Sequence, residues 1–141
     1  MADPKYAALF LAESREHLRT CNQLLLEWER TPAASEPVNG LFRAIHNIKG
    51  MAATLSYTAV ADLAHRAENV LDAIRGGRAE VSPELIQLLF RSVDALEKAV
   101  EGAQAGKGEP SARLLAALDR AGRRDGGMAG WPGMEGPPQT P

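Results

Sequence analysis

The chain has 141 residues, 45% of them hydrophobic and only 5% aromatic, with a net charge of −2. That is one domain's worth of chain with enough apolar surface for a real core, and the absence of a basic block or stripe argues against a nucleic-acid surface. Cys21 is the only cysteine, which excludes an internal disulfide and suits a reducing compartment, with the thiol expected as a small buried hydrophobe.

Asp3-Pro4 is a helix start, a cap followed by proline in the first turn. Phe10, His17, Cys21, Leu24, Leu25 and Trp28 keep helical spacing up to about Arg30, and Thr31-Pro32-Ala33-Ala34-Ser35 breaks it. A second helix opens near Ser35-Glu36-Pro37 and carries Leu41, Ile45, Ile48, Ala52 and Leu55 in a heptad-like stripe suited to a bundle. Ser56 or Thr58 can cap the third helix, with Val60, Leu63, Ala67, Val70, Leu71 and Ile74 facing in and Gly76-Gly77 ending it. Ser82-Pro83-Glu84 opens the fourth, with Leu85, Ile86, Leu89, Val93, Leu96 and Val100 inward. The expected fold is all-α, an antiparallel up-down-up-down four-helix bundle over residues 1–105. A shorter fifth helix is expected within 106–121, with Leu114, Leu115 and Leu118 on one side. Residues 122–141 read as a Gly/Pro-rich linker or disordered tail that holds the isolated Trp131.

The second helix also carries the run His46-Asn47-Ile48-Lys49-Gly50. Residues three and four apart share a helix face, so Asn39, Phe42, Arg43, His46, Lys49, Gly50 and Ala53 lie together. His46 offers a nucleophilic nitrogen, and Lys49 a cation beside whatever that nitrogen acquires. Gly50 costs about 0.5–1 kcal/mol relative to alanine inside a helix, yet it clears the approach to the imidazole. His65 and Glu68, three apart on the third helix, follow the tight turn by about as many residues as His46 precedes it, so the two sites sit at similar height. A carboxylate there can accept a hydrogen bond from His46 Nδ1–H, fixing the tautomer and leaving the Nε2 lone pair outward.

Each residue also has a plainer reading. Gly50 can be a packing glycine that lets a neighbouring helix approach, and Glu68 can pair with Arg66 or with a Lys or Arg across a groove. His65 can be an exposed histidine. His17 reads as a core-edge residue, and Glu13 and Glu16 as a solvated acidic face. Metal binding is rejected: di-iron bundles use two Glu-x-x-His pairs with two further glutamates, whereas this chain has a single His-x-x-Glu in reverse order, and its three histidines lack zinc spacing.

The run from Leu41 through His46, Lys49 and Gly50 to Thr54 resembles the phosphoacceptor motif of histidine-containing phosphotransfer (HPt) domains, closest to those at the N-terminus of chemotaxis histidine kinases. Leu63 to Asp72 and Arg75-Gly76-Gly77 resemble the following helix of that family, and Phe10, Glu13, Glu16, Leu18 and Leu25 fit its first; the likeness covers about residues 5–105. The resemblance implies that His46 takes a phosphoryl group on Nε2, that Lys49 stabilises it, that Glu68 orients the imidazole and that His65 joins the polar network. Gly50 and Ala53 would be the docking surface. Ala53 and Ser56 stand where glycines are frequent in the family, which bears on surface contour more than on chemistry.

The module so implied is a phosphocarrier in two-component chemotaxis signalling, fed with ATP-derived phosphoryl by a histidine kinase catalytic domain and drained by an aspartate of a response-regulator receiver domain. It would be no enzyme by itself. The chain has no glycine-rich phosphate loop, so ATP and Mg²⁺ would belong to the partner domains, and no cofactor is expected on this chain. A stand-alone phosphorelay protein, or a non-catalytic helical scaffold with an incidental histidine, is the alternative; the Gly/Pro tail favours the front of a longer kinase. No leader-like n-region opens the chain and no apolar run approaches the roughly 18 residues of a membrane span. A cytoplasmic domain, monomeric in isolation and without nucleic-acid or membrane partners, is the expectation.

Overall fold

The structure is a computed structural model that describes residues 4–123. These form α1 (Pro4–Arg30), α2 (Glu36–Thr54), α3 (Thr58–Arg75), α4 (Pro83–Gly102), a single 3₁₀ turn (Ala103–Ala105) and α5 (Ala112–Arg123), with no strand among the described residues. The Asp3 cap and the expected tail beyond Arg123 lie outside the described residues.

The helix ends follow local chemistry. Ser82 Oγ accepts from Leu85 N–H at 3.1 Å, and Ser111 Oγ from Leu114 N–H at 3.1 Å, so α4 and α5 begin on side-chain caps. Ser35 holds the corresponding position for α2, but its side chain makes no cap bond. The α3 cap differs from expectation. Neither Ser56 nor Thr58 serves; Tyr57 occupies the position, with no side-chain bond. Ser56 is committed instead to ending α2: it sits at φ 62° while its N–H donates to Ala53 O and that of Tyr57 donates to Ala52 O. This paired pattern is the Schellman stop, whose left-handed residue is usually glycine. The end of α3 uses the same device with Gly77 at φ 77°.

Cross-helix pairs give the helices of the bundle their relative directions. Between α1 and α4, Arg15 meets Glu101, Asn22 meets Glu97 and Glu29 meets Gln87, so one number rises as the other falls. Between α2 and α3, Phe42 meets Arg75 and His46 meets Glu68. Both pairs are therefore antiparallel. Helix α1 packs on α2 and α4, and α3 packs on the same two, closing a four-helix ring. The inner stripes hold Leu25 and Trp28, Leu41 and Ile48, Leu63 and Leu71, and Leu89 and Leu96, all essentially inaccessible.

Three expected core residues, Leu24, Leu55 and Ile74, are half-buried. Leu24 turns toward α2, where its Cδ1 lies 2.7 Å from where a Cβ on Gly40 would stand. Gly40 thus leaves room for the end of the Leu24 side chain. Helix α5 docks mainly on α3 and also touches α4. Its Leu118 is fully buried, and Arg66 of α3 donates to both Asp119 of α5 and Asp62 of its own helix. This leaves the opposite, α2-facing side of α3 to hold the site.

Candidate functional site

Helix α2 presents Phe42, His46 and Lys49 on one face, and α3 answers with Glu68 and Arg75. Glu68 is the centre of the arrangement. Its side chain is only 8% exposed, and both carboxylate oxygens are engaged by α2: Oε2 with His46 Nδ1, and Oε1 with Lys49 Nζ at 2.6 Å. Burial pushes the Glu68 pKa up, but the hydrogen bonds and charges of Lys49 and His46 outweigh it and hold the group below the ordinary carboxylate value. An ionised carboxylate can only accept, so His46 Nδ1 carries the proton and, in the neutral ring, Nε2 carries the lone pair.

The His46 side chain is 57% exposed. A buried acid thus holds an exposed imidazole by its Nδ1. Lys49, 28% exposed, serves the buried acid as its second partner while lying one turn beyond the imidazole. Glu68 therefore does two of the things its position allowed, orienting His46 and pairing with a lysine across the groove. Arg66, by contrast, turns away from it to Asp62 and Asp119.

Gly50 is exposed, and a Cβ added there would meet nothing within 4 Å. The packing reading of Gly50 is therefore overturned: no neighbouring helix needs the space. Ala53 is exposed one turn further along the same face. His65 is exposed on α3 and makes no hydrogen bond to His46, Lys49 or Glu68. His17 is half-buried on α1, as a core-edge residue should be, and Glu16 pairs with Arg19 on the surface of the same helix.

Phe42 and Arg75 are the residues that sequence reasoning did not assign to the site. The Phe42 ring is stacked with the His46 imidazole, centroids 6.0 Å apart and planes 8° off parallel. The Arg75 guanidinium lies over the Phe42 ring, 4.4 Å from its centroid. The signal for Phe42 was its place four residues before His46. For Arg75 it was helical periodicity, since residues seven apart return to one face and bring it into line with Glu68. Among the described residues no group of three or more His, Cys, Asp or Glu gathers as a metal site would require, and no helix is long and apolar enough to cross a membrane.

The arrangement defines a class: an all-helical bundle that displays an acid-oriented histidine beside a lysine. The Hpt domain family model matches residues 5–124, and the chain belongs to this family of phosphotransfer modules. Within it, the chain is similar to the chemotaxis protein CheA of Bacillus subtilis (strain 168), with 47% identity over 97 residues, which make up 69% of this chain and 14% of that protein. The chain thus spans a small part of the curated relative's length. It is also similar to the CheA phosphotransferase domain from Thermotoga maritima, at 35% identity and a TM-score of 0.67, covering 72% of this chain and 96% of that one. The phosphorylated P1 domain of CheA3 in complex with CheY6 from R. sphaeroides shares the fold, at 24% identity and a TM-score of 0.70 over 84% of this chain and 93% of that one.

Proposed function

We propose that His46 is the phosphoacceptor of a chemotaxis-type phosphorelay. Its Nε2 lone pair attacks the γ-phosphorus of ATP held by a separate histidine kinase catalytic domain. A P–N bond forms, the bond to the bridging oxygen breaks, and ADP leaves with that electron pair. The proton on Nδ1 stays where it is, so the ring becomes a phosphorylated imidazolium whose positive charge faces the Glu68 carboxylate. In the onward step a receiver aspartate oxygen attacks phosphorus, the P–N bond breaks, and Nε2 regains its lone pair. Lys49 supplies positive charge beside the incoming dianion, and Gly50 and Ala53 leave the surface low for both partners.

ATP and Mg²⁺ enter through those partners, and this chain acts as carrier rather than as complete catalyst. Phosphoryl transfer depends on positioning and charge more than on covalent machinery, which is what one oriented imidazole can supply. The observation that supports the reading most strongly is the pairing of an exposed His46 with a buried, doubly engaged Glu68. The test is incubation of the full chain with a histidine kinase catalytic core, lacking its own phosphotransfer domain, and labelled ATP. Acid-labile, base-stable label at His46 that moves to a CheY-type receiver is expected. Label confined to His17 or His65, or absent altogether, defeats the proposal.

A further inference from the structure

Glu68 holds the His46 imidazole at one atom, and one hydrogen bond leaves a ring free to pivot about that atom. The ring is more than half exposed, so solvent provides no wall against such motion. What does face it is Phe42, four residues earlier on α2, nearly parallel to the imidazole. Parallel offset rings at this separation attract one another and fix each other's planes. Phe42 is in turn gripped from α3, because the Arg75 guanidinium sits over its ring. Helix α3 therefore reaches the nucleophile twice, directly through Glu68 and indirectly through Arg75 and Phe42.

We infer that Phe42 and Arg75 are positioning residues for phosphoryl transfer: together they hold the plane of the His46 imidazole, so that Nε2 points outward along a defined line. The inference rests on the reading of His46 as phosphoacceptor and adds a second hold to the one that Glu68 provides. Attack on phosphorus requires near in-line approach of the nitrogen lone pair. A ring that pivots about Nδ1 keeps its hydrogen bond and its tautomer but spends less time aimed. Glu68 sets which nitrogen is nucleophilic; Phe42 and Arg75 set where it points.

Two plainer roles give different signatures. Phe42 is half-buried against the core, so it can contribute packing. Arg75 ends α3, where a cation favours the helix dipole. Packing and dipole effects move stability, not the rate per folded molecule.

The test uses the full chain as substrate for a histidine kinase catalytic core that lacks its own phosphotransfer domain, with Phe42→Leu, Phe42→Tyr and Arg75→Gln compared by kcat, KM and melting temperature. Phe42→Leu should lower kcat by about tenfold, within the range that misorientation of a reacting group produces, with KM for the chain unchanged. Phe42→Tyr, which keeps the ring, should restore it. Arg75→Gln should lower kcat by about two- to fivefold, the factor a partly exposed cation–π contact represents. Imidazole ¹⁵N spectra of the unphosphorylated chains provide a readout independent of transfer: Phe42→Leu should keep the Nδ1–H tautomer while its ring relaxation shows added motion. Wild-type kcat in Phe42→Leu, a rise in KM alone, or a loss that tracks the unfolded fraction would each overturn the inference. If the wild-type chain accepts no label, the phosphoacceptor reading fails, and the ring-relaxation comparison still decides whether Phe42 restrains His46.

Discussion

The α1/α4 seam and the α2/α3 seam are both antiparallel helix pairs laced with charged contacts, yet they use charge in opposite ways. Along α1/α4, Arg15 makes two 2.8 Å bonds to Glu101, with both side chains about half exposed. That seam also borders an open cavity of about 590 Å³ lined by Arg15, Leu18, Arg19, Asn22, Glu97, Lys98 and Glu101. The α2/α3 seam at His46 is built the other way. There the acid is buried and its two donors reach it from the solvent side. An exposed ion pair is screened and adds little, whereas a buried carboxylate depends on every partner it has. The candidate site sits on an exposed face with one buried anchor, and this open cavity lies on another seam.

Substitution of the proposed phosphoacceptor tests this contrast most strongly. His46→Gln should abolish phosphoryl acceptance while the bundle stays folded, because an exposed side chain leaves no core cavity. Loss of the Nδ1 bond to the buried Glu68 carboxylate should cost up to about 1–3 kcal/mol. Phosphorylation assays and thermal melts on the same preparation check both halves, and residual label at His17 or His65 would break the comparison outright.

Lys49→Ala should slow acceptance by at least about tenfold, within the span of positioned charge and proton assistance, and destabilise by about 1–3 kcal/mol by leaving one oxygen of a buried acid unpaired. Arg15→Ala on the other seam should leave both transfer and melting temperature unchanged. The Lys49 effect should also depend on pH. Because the folded Glu68 pKa lies below its ordinary value, the stability it contributes is fully present above that ordinary value and is lost as pH falls through the depressed one. The gap in melting temperature between wild type and Lys49→Ala should therefore be widest near neutrality and close on acidification. A gap independent of pH would place the lysine's contribution elsewhere.

Gly50→Gln should preserve or raise stability, by up to about 0.5–1 kcal/mol from the removed helix defect, since its side chain would enter open space. If the low surface beyond His46 serves docking, the same variant should transfer phosphoryl several-fold more slowly, an estimate in line with a steric change at an interface. Unchanged transfer would return Gly50 to a neutral surface position. Ser56→Gly should give the smallest change, a gain of about 0.5–1 kcal/mol net from relieving a left-handed serine, with transfer rates unaltered. Equal melting temperatures for the two chains would mean that the turn holds Ser56 without strain.

The bundle was legible because each helix announces itself by an apolar stripe at a fixed period. Ser82 and Gly77 also behave as their residue types suggest. The misread α3 cap has a definite cause: Ser56 is a good cap by type, but the preceding helix needed a left-handed residue there first, and two adjacent helices cannot both claim it. Likewise, sequence spacing brought His46 and Glu68 to one height and placed Lys49 nearby, but not which atom of Glu68 each would take. Spacing within a helix says nothing of the angle at which a side chain crosses to its neighbour. The Phe42–Arg75 contact was hidden for that reason, and so was the close seating of Leu24 over Gly40.

Cys21 offers a practical handle of another kind. It lies on α1 with no accessible surface, and burial pushes its thiol pKa up to about 12. Reagents that require thiolate will pass the folded domain by, so alkylation at Cys21 clocks the rare openings of the bundle itself. A spectroscopic dye for docking studies can therefore be attached to a new surface cysteine while Cys21 stays in place as a built-in reporter of unfolding.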